Sequence, residues 1–430
     1  SGEIIGLTDD GIKSGDSLSV WNATNAFITG GNDGIETGNG STITNKGAIT
    51  GLTGDGIRGL NALSVTNSGW IQGLTNGISA LAGARIQNTG LISGTNGDGV
   101  VTTDGLSLYN SSNGVVQGGD DGVDTGNGST ITNQNLIAGA AGNGIKALAG
   151  LTVTNSGMIT GKVDGVVATT GAVIRNSGAI LGETDDGVDT GDGLVLFNNT
   201  NALIRGQDDG IFTGNGSTIT NLGTILGITG DGIHGGNFLY VTNAGWIQGD
   251  PGILAGNNVS IQNSSNIVGE LSDGVRVTNF LSLWNNTGAL IEGFEDGVDA
   301  QDSATITNLG TIVGFGGNGI RVANLATITN SGLVQGSLHG ISASNNLVLA
   351  NSGTVTGATH GVSIVGTNSV IRNSGRIIGG TDNGINQVGD YLNLLNTSTG
   401  EVIGGFIGVA GNNFATITNS GVIIGRNNDG

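Results

Sequence analysis

The chain has no cysteine, one proline and few aromatic residues, which make up 4% of its 430 residues. Without cysteine the fold cannot depend on disulfide bonds. Basic residues are also scarce: 13 lysines and arginines, which form no cluster, stand against 33 acidic residues, for a net charge of −20. A nucleic-acid partner requires a basic surface, and so does electrostatic docking on anionic lipid. The charge balance therefore excludes both classes.

Long apolar runs are missing too. None approaches the roughly 20 residues that a membrane-spanning helix needs, so we expect no membrane span in this segment. No secretory signal peptide precedes the first residues, but the chain begins and ends inside its own repeat, which indicates a segment of a longer array.

Glycine, in contrast, is abundant, at 86 of 430 residues. The glycines do not recur at every third position, which excludes a collagen helix. Isoleucine, valine and leucine fall at fixed phases of a repeat, and this regularity separates the chain from disordered low-complexity sequences.

The repeat is clearest in the segment 326–332, Ala-Thr-Ile-Thr-Asn-Ser-Gly, which recurs unchanged at 415–421. Its asparagine can be followed through 19 consecutive copies at spacings of 20 to 23 residues. Such a fixed period is the signature of a repeat architecture. The 19 positions are Asn22, Asn45, Asn67, Asn88, Asn110, Asn133, Asn155, Asn176, Asn198, Asn221, Asn243, Asn263, Asn285, Asn308, Asn330, Asn351, Asn373, Asn396 and Asn419.

Each repeat contains three short apolar segments. The first alternates apolar and polar residues up to the asparagine, the second reads Ile/Val-x-Gly, and the third reads Gly-Ile/Val, usually after Asp or Asn. Examples are residues 63–67, 71–73 and 55–57. Short alternating segments separated by Gly, Asn and Asp predict strands and tight turns.

We therefore predict an all-β fold, a right-handed parallel β-helix (β-solenoid) of about 20 coils with ~22 residues and three short strands per coil. At about 4.8 Å per coil its length would be roughly 90–95 Å. Residues 1–430 would form a single continuous solenoid. The asparagine column is expected to lie at sharp turns in the left-handed conformation and to form a ladder of side-chain hydrogen bonds.

A longer period is superimposed on the coil. Every fourth coil has two extra residues after its asparagine, at Asn22, Asn110, Asn198 and Asn285, with a fifth copy one coil late at Asn396, so the larger repeat is about 88 residues. Aromatic residues precede these long turns at Trp21, Tyr109, Phe197 and Trp284, and Trp70 and Trp246 occupy a second register. Exposed aromatics are typical contacts for a ligand or partner. The alternative is that each ring packs under its own long turn.

Aspartate recurs before the third-segment glycine and is replaced there by Asn at several coils, which favours a turn role. Stacked carboxylates could also bind calcium. The candidate calcium ligands are Asp120, Asp121 and Asp124, and Asp185, Asp186 and Asp189. His339 and His360 fall in the same column and could form a metal or pH-sensing pair, or be ordinary turn residues. Apart from calcium we expect no cofactor.

No enzymatic activity is expected. The sequence has no Ser/His/Asp context and no Gly-x-Ser-x-Gly motif. Its acidic residues recur with the repeat, whereas a catalytic site is a single irregular constellation.

The pattern Thr-Ile-Thr-Asn-Ser-Gly-x-Ile-x-Gly-x-x-Asp-Gly-Ile, which spans the whole chain, resembles the passenger regions of bacterial autotransporters and related large surface adhesins. The resemblance implies an extracellular structural or adhesive stalk at the bacterial surface, anchored in the outer membrane by parts outside this segment. Its expected partners are a host or neighbouring-cell surface, a glycan, or another copy of itself, end to end or side by side. The alternatives are a filament or surface-layer subunit that stacks coil on coil, and a β-helix that binds or cleaves polysaccharide.

Overall fold

The computed structural model describes residues 2–427. The chain divides into two units, of which unit 1 ends at Gly214 and unit 2 begins at Asn215. Both units consist of strands and turns, and none of the described residues forms a helix. A helix that could span a membrane is accordingly absent from this part of the chain.

The first strand of each coil ends at the repeated asparagine, and we call it the ladder strand. Its residues alternate: Ile43 is fully buried between the outward Thr42 and Thr44. In unit 1 the ladder strands are Ser19–Asn22, Thr42–Asn45, Ser64–Asn67, Arg85–Asn88, Ser107–Asn110, Thr130–Asn133, Thr152–Asn155, Val173–Asn176 and Val195–Asn198. In unit 2 they are Thr218–Asn221, Tyr240–Asn243, Thr305–Asn308, Thr327–Asn330, Val348–Asn351, Ser369–Asn373, Leu392–Asn396 and Thr416–Asn419, together with the ends of two longer strands given below.

The second strand, here the face strand, has the pattern outward, inward, outward, glycine. Within each unit it pairs in parallel with the face strand of the next coil, as in Ile49 opposite Ile71. In unit 1 the face strands are Glu3–Gly6, Phe27–Gly30, Ala48–Gly51, Trp70–Gly73, Leu91–Gly94, Val115–Gly118, Leu136–Gly139, Met158–Gly161, Ala179–Gly182 and Leu203–Gly206. In unit 2 they are Thr224–Gly227, Trp246–Gly249, Asn266–Gly269, Leu290–Gly293, Thr311–Gly314, Leu333–Gly336, Thr354–Gly357, Arg376–Gly379, Glu401–Gly404 and Val422–Gly425.

In most coils the third strand follows a glycine that the packing requires. A Cβ on Gly56 would lie 2.6 Å from the carbonyl oxygen of Gly77, so no larger residue fits there. In unit 1 the third strands are Ile12–Lys13, Ile35–Glu36, Ile57–Arg58, Ile78–Ala80, Val100–Thr102, Val123–Thr125, Ile145–Ala149, Val166–Thr170, Val188–Thr190 and Ile211–Thr213. In unit 2 they are Ile233–Gly235, Val298–Asp302, Ile320–Asn324, His339–Asn345, His360–Ile364, Ile385–Gln387 and Val409–Ala410.

In two coils of unit 2 the third strand continues into the ladder strand without a break. These strands are Ile253–Asn263 and Val275–Asn285, each of 11 residues, so three separate strands per coil is not a strict rule. The core of both units consists of columns of Ile, Val and Leu from the three kinds of strand, such as Ile43, Ile49 and Ile57, which have no exposed surface.

The prediction of a parallel β-solenoid is confirmed, with about 19 turns repeating at about 22 residues. Its right-handed sense and its continuity over 1–430 stay predictions. Ser1 and residues 428–430, which that span includes, lie outside the described residues.

Candidate functional site

The asparagine column forms the predicted ladder. In each unit the side-chain Nδ2 of one asparagine donates to Oδ1 of the asparagine in the next coil over 2.8–2.9 Å, from Asn22 to Asn198 in unit 1 and from Asn221 to Asn419 in unit 2. Nδ2 also donates to a face-strand carbonyl, as Asn45 does to Trp70 at 3.0 Å. The ladder therefore satisfies buried polar groups and has a structural role.

One detail of the prediction is wrong. None of the 19 ladder asparagines has a positive φ; in the described residues the left-handed conformation recurs in another column, five residues before each ladder asparagine, and also occurs in three long turns at Asn25, Asn201 and Gly288. Unit 1 mostly fills that column with glycine, such as Gly105 at φ 65°, whereas unit 2 places Phe238, Phe280 and Leu325 there at φ 56–58°. The ladder asparagine ends a regular strand. Its side-chain hydrogen bonds, and not its backbone conformation, therefore explain why asparagine occupies this position.

The aspartate column has the backbone role that its interchange with asparagine predicts. At nine of its positions Oδ1 of the aspartate accepts a hydrogen bond from the main-chain N–H of the same position one coil later. For example, the N–H of Asp55 donates to Oδ1 of Asp33 over 2.7 Å. The equivalent bonds run from Asp186 to Asp164 over 2.8 Å and from Asp296 to Asp273 over 2.9 Å.

Sequence reasoning missed the cations that accompany this column. At two coils a basic residue three positions after the aspartate lies beside its Oδ2: Arg276 Nε is 2.7 Å from Asp273 and Lys13 Nζ is 3.1 Å from Asp10. Lys146 lies 3.5 Å from Asp121, one coil away. In the sequence this contact corresponds to the pattern Asp-Gly-Ile/Val-Lys/Arg, which stands at residues 10–13 and 273–276. Basic residues that seemed scattered therefore offset the carboxylates of Asp10, Asp121 and Asp273.

The candidate calcium ligands come together only in part. Oxygen atoms of Asp98, Asp120 and Asp121 lie within 4.8 Å of one another, as do those of Asp164, Asp185 and Asp186. The predicted third members are not part of these two groups: Asp124 pairs with Lys146 at 3.3 Å, and Asp189 belongs to the third strand Val188–Thr190.

Burial is the main cause of perturbed pKa values in this column. It raises the pKa of Asp186 to about 8, with smaller contributions from the charges of Asp209, Asp185 and Asp164. Burial likewise raises the pKa of Asp98 and of Asp164 to about 6. Burial therefore disfavours the charged form of these carboxyls.

The aromatic residues before the long turns are outward and largely exposed. Trp21 is 65% exposed, Tyr109 42% and Trp284 47%, while Phe197 is half-buried. Each exposed ring has a contact that orients it: Lys46 Nζ lies 4.7 Å from the Trp21 ring centroid, the Tyr109 hydroxyl donates to Gln134, and Trp284 Nε1 donates to Asn286. These three rings are thus fixed in direction but available for contact.

The second aromatic register lies on the face strands. Trp70 is 50% exposed and Trp246 39%, and both occupy the first position of their strand. A shallow trough of about 410 Å³ crosses neighbouring face strands and is lined by neutral residues, among them Gln72, Ser93 and Gln117.

His339 and His360 are paired across adjacent coils, as the sequence indicates. Their rings stack with centroids 4.9 Å apart, and Nδ1 of His339 is buried without a hydrogen-bond partner. Burial lowers the pKa of both side chains, and the charge of His360 lowers that of His339 further. At neutral pH the pair is therefore uncharged.

Comparison with protein-family models, with curated proteins and with solved structures finds no match for this chain.

Proposed function

We propose that the chain is an extracellular structural and adhesive β-solenoid: a scaffold at the bacterial surface that presents aromatic side chains to a cell surface or a glycan. The observation that carries this proposal is the exposure of Trp21, Tyr109 and Trp284 at one and the same coil position. Aromatic rings supply large contact areas at low conformational cost, which suits them to recognition.

The backbone beneath these rings supports a role in presentation. Each ring belongs to a ladder strand whose last residue is a fully or almost fully buried asparagine of the ladder. Within unit 1, Trp21 and Tyr109 are four coils apart, or about 19 Å at the spacing of paired strands. A contact surface of this kind is preorganised, so binding would order few additional groups.

The test uses the full chain, fluorescently labelled, on a panel of intact cells and immobilised neutral and acidic glycans. The triple variant Trp21→Ala, Tyr109→Ala, Trp284→Ala should lose at least tenfold in affinity. Its matched control is Thr44→Ala, Thr132→Ala, Thr307→Ala, at the paired positions one coil later. Equal binding by the two variants, or no saturable binding by the wild type, would refute the proposal. Antibody labelling of intact source cells tests the location separately.

A further inference from the structure

Unit 1 has a continuous apolar stripe on its outer surface. It consists of the first, outward residue of nine successive face strands: Phe27, Ala48, Trp70, Leu91, Val115, Leu136, Met158, Ala179 and Leu203. The strand pairing places these residues in one register, each beside the next. All of them retain exposed surface, with Trp70 and Phe27 about half exposed. Apolar residues at nine consecutive outward positions form a patch that a solvated sheet face would not need.

The face that carries this stripe is almost free of charge: among its nine strands the one charged residue is Arg205, in the last strand Leu203–Gly206. The eight face strands from Phe27–Gly30 to Ala179–Gly182 contain no Asp, Glu, Lys or Arg, although the chain carries a net charge of −20. The same strand position in unit 2 holds Thr224, Asn266, Arg376 and Glu401 among its members. The stripe ends beside Glu3, which pairs with Phe27, and an apolar run of this length occurs in unit 1 but not in unit 2.

We propose that this face of unit 1 pairs with the same face of a second copy of the chain. Two molecules of charge −20 repel each other over most of their surfaces, and this face allows close approach without bringing like charges together. Apolar sheet faces pack about 10 Å apart with interdigitating side chains. Because both partners use the same patch, the pairing is isologous, with a two-fold axis.

The area fits a weak dimer. Nine strands at about 4.8 Å and four residues at about 3.3 Å give a face of roughly 40 by 13 Å, or about 500 Å² per copy and about 1,000 Å² in total, near the lower limit for a specific interface. The expected dimer is accordingly reversible, and this inference holds whether or not the chain is an adhesin.

A second copy fits the stripe better than a sugar chain does. Most of its members are aliphatic, such as Leu91, Val115 and Leu136, and offer neither a flat ring nor a hydrogen-bonding group. The neighbouring polar side chains already bond within the face: Gln117 Nε2 donates to Ser93 at 3.2 Å and Gln72 Nε2 to Thr95 at 3.4 Å.

The experiment is sedimentation equilibrium of the full chain over a range of concentrations. Val115 is the fifth of the nine stripe residues, so in a pairing centred on the stripe the two Val115 side chains lie near the two-fold axis. Val115→Glu should raise the dimer dissociation constant at least tenfold. Leu333→Glu, at the same strand position in unit 2, should leave it unchanged. Circular dichroism during heating verifies that both variants fold.

A charge-swap experiment sharpens the result. Mixing Val115→Glu with Val115→Lys should restore a heterodimer, and added salt should strengthen the wild-type dimer by screening its repulsion. A wild type that stays monomeric up to about 1 mM, a limit near −4 kcal/mol, overturns the proposal. The proposal is also overturned if the Val115→Glu variant dimerises as tightly as the wild type, or if added salt dissociates the wild-type dimer. A monomer that binds a neutral oligosaccharide through this face of unit 1 also overturns the proposal, in favour of a glycan site.

Discussion

Nδ2 of Asn155 donates one hydrogen bond to Oδ1 of Asn176 over 2.9 Å and another to the carbonyl oxygen of Ala179 over 3.0 Å. Its own Oδ1 accepts from Asn133 at 2.8 Å. Both asparagine partners are fully buried, like Asn155 itself. A single side chain therefore connects three coils, and its polar atoms have no water to replace a lost partner.

Replacing Asn155 with Ala should destabilise unit 1 by about 2–4 kcal/mol, because each buried donor or acceptor left unpaired costs about 1–3 kcal/mol. Asn133 would lose an acceptor, and Asn176 and Ala179 would lose a donor. Thermal unfolding measures the effect, and hydrogen exchange should show the lost protection at these neighbouring coils. Thr154→Ala, an outward change next to it, serves as the control and should stay within about 0.5 kcal/mol. Equal effects of the two variants would contradict a structural role for the ladder.

The sequence predicted the ladder well because asparagine is both donor and acceptor, and because its period equals the coil. A residue such as Asn155 then has a partner of its own type one coil away, and no knowledge of side-chain direction is needed. The same reasoning identified the buried column of Ile43, Ile49 and Ile57, since alternation shows which side faces inward.

Contacts between different columns could not be read in this way. The approach of Arg276 to Asp273 depends on how far the third strand turns after its glycine, which periodicity does not specify. The left-handed turn column, where Gly105 and Phe280 are equivalent, was likewise assigned to the wrong residue, because asparagine and glycine both tolerate that conformation. The sequence revealed Trp70 as exposed but not that the whole stripe around it is apolar.

The high pKa of Asp186 makes a prediction about pH. Its folded-state pKa of about 8 lies above the unfolded value of 3.8, so the folded state binds the proton more tightly. The contribution of Asp186 to stability is therefore expected to fall as the pH rises from about 4 to about 8. Asp186→Asn keeps an acceptor for the N–H of Asp209 but removes the buried charge. It should stabilise the protein at pH 8 by on the order of 1 kcal/mol, the worth of one pKa unit, and by much less at pH 4.5.

Denaturant unfolding at the two pH values measures this difference, with EDTA present to exclude divalent cations. Asp9→Asn is the matched control, since Asp9 is exposed and its substitution changes the net charge equally. A stabilisation independent of pH, or equal for both variants, would show that the charge of Asp186 is not the cause.

The stacked histidines predict the opposite dependence. Burial lowers the folded-state pKa of His339 and His360 below the unfolded value of 6.5, so the unfolded chain binds protons more tightly. The contribution of this uncharged pair to folding stability is fully present above about pH 6.5 and is lost as the pH falls below that value. The facing charge of Asp382, 3.8 Å from His360 Nε2, offsets the effect in part.

His339→Asn should remove the share of this loss that comes from His339, and it should fit the fold because asparagine occupies the same column at Asn318 and Asn383. The quantity to compare is the change in unfolding midpoint between pH 7.5 and pH 5, in the wild type and in the variant, because other carboxyls contribute equally to both. Ser342→Asn on the same strand is the control. If acidification lowers the midpoint of His339→Asn as much as that of the wild type, the pair is not the acid-sensitive element.

The left-handed turn column predicts opposite effects in the two units. Gly105, at φ 65°, has no atom closer than 3.7 Å to the position of a Cβ, so Gly105→Ala tests the backbone alone. It should destabilise unit 1 by about 1 kcal/mol, since an L-residue costs roughly 1–2 kcal/mol in this conformation.

Phe280 adopts the same strained conformation in unit 2, at φ 57°, with its ring more than half exposed. Phe280→Gly should therefore stabilise unit 2 by about 0.5 kcal/mol, after the greater flexibility of glycine in the unfolded chain is deducted. Urea unfolding measures whether Gly105→Ala lowers and Phe280→Gly raises the free energy of unfolding. A loss of stability in Phe280→Gly would mean that the contacts of the ring outweigh its backbone strain.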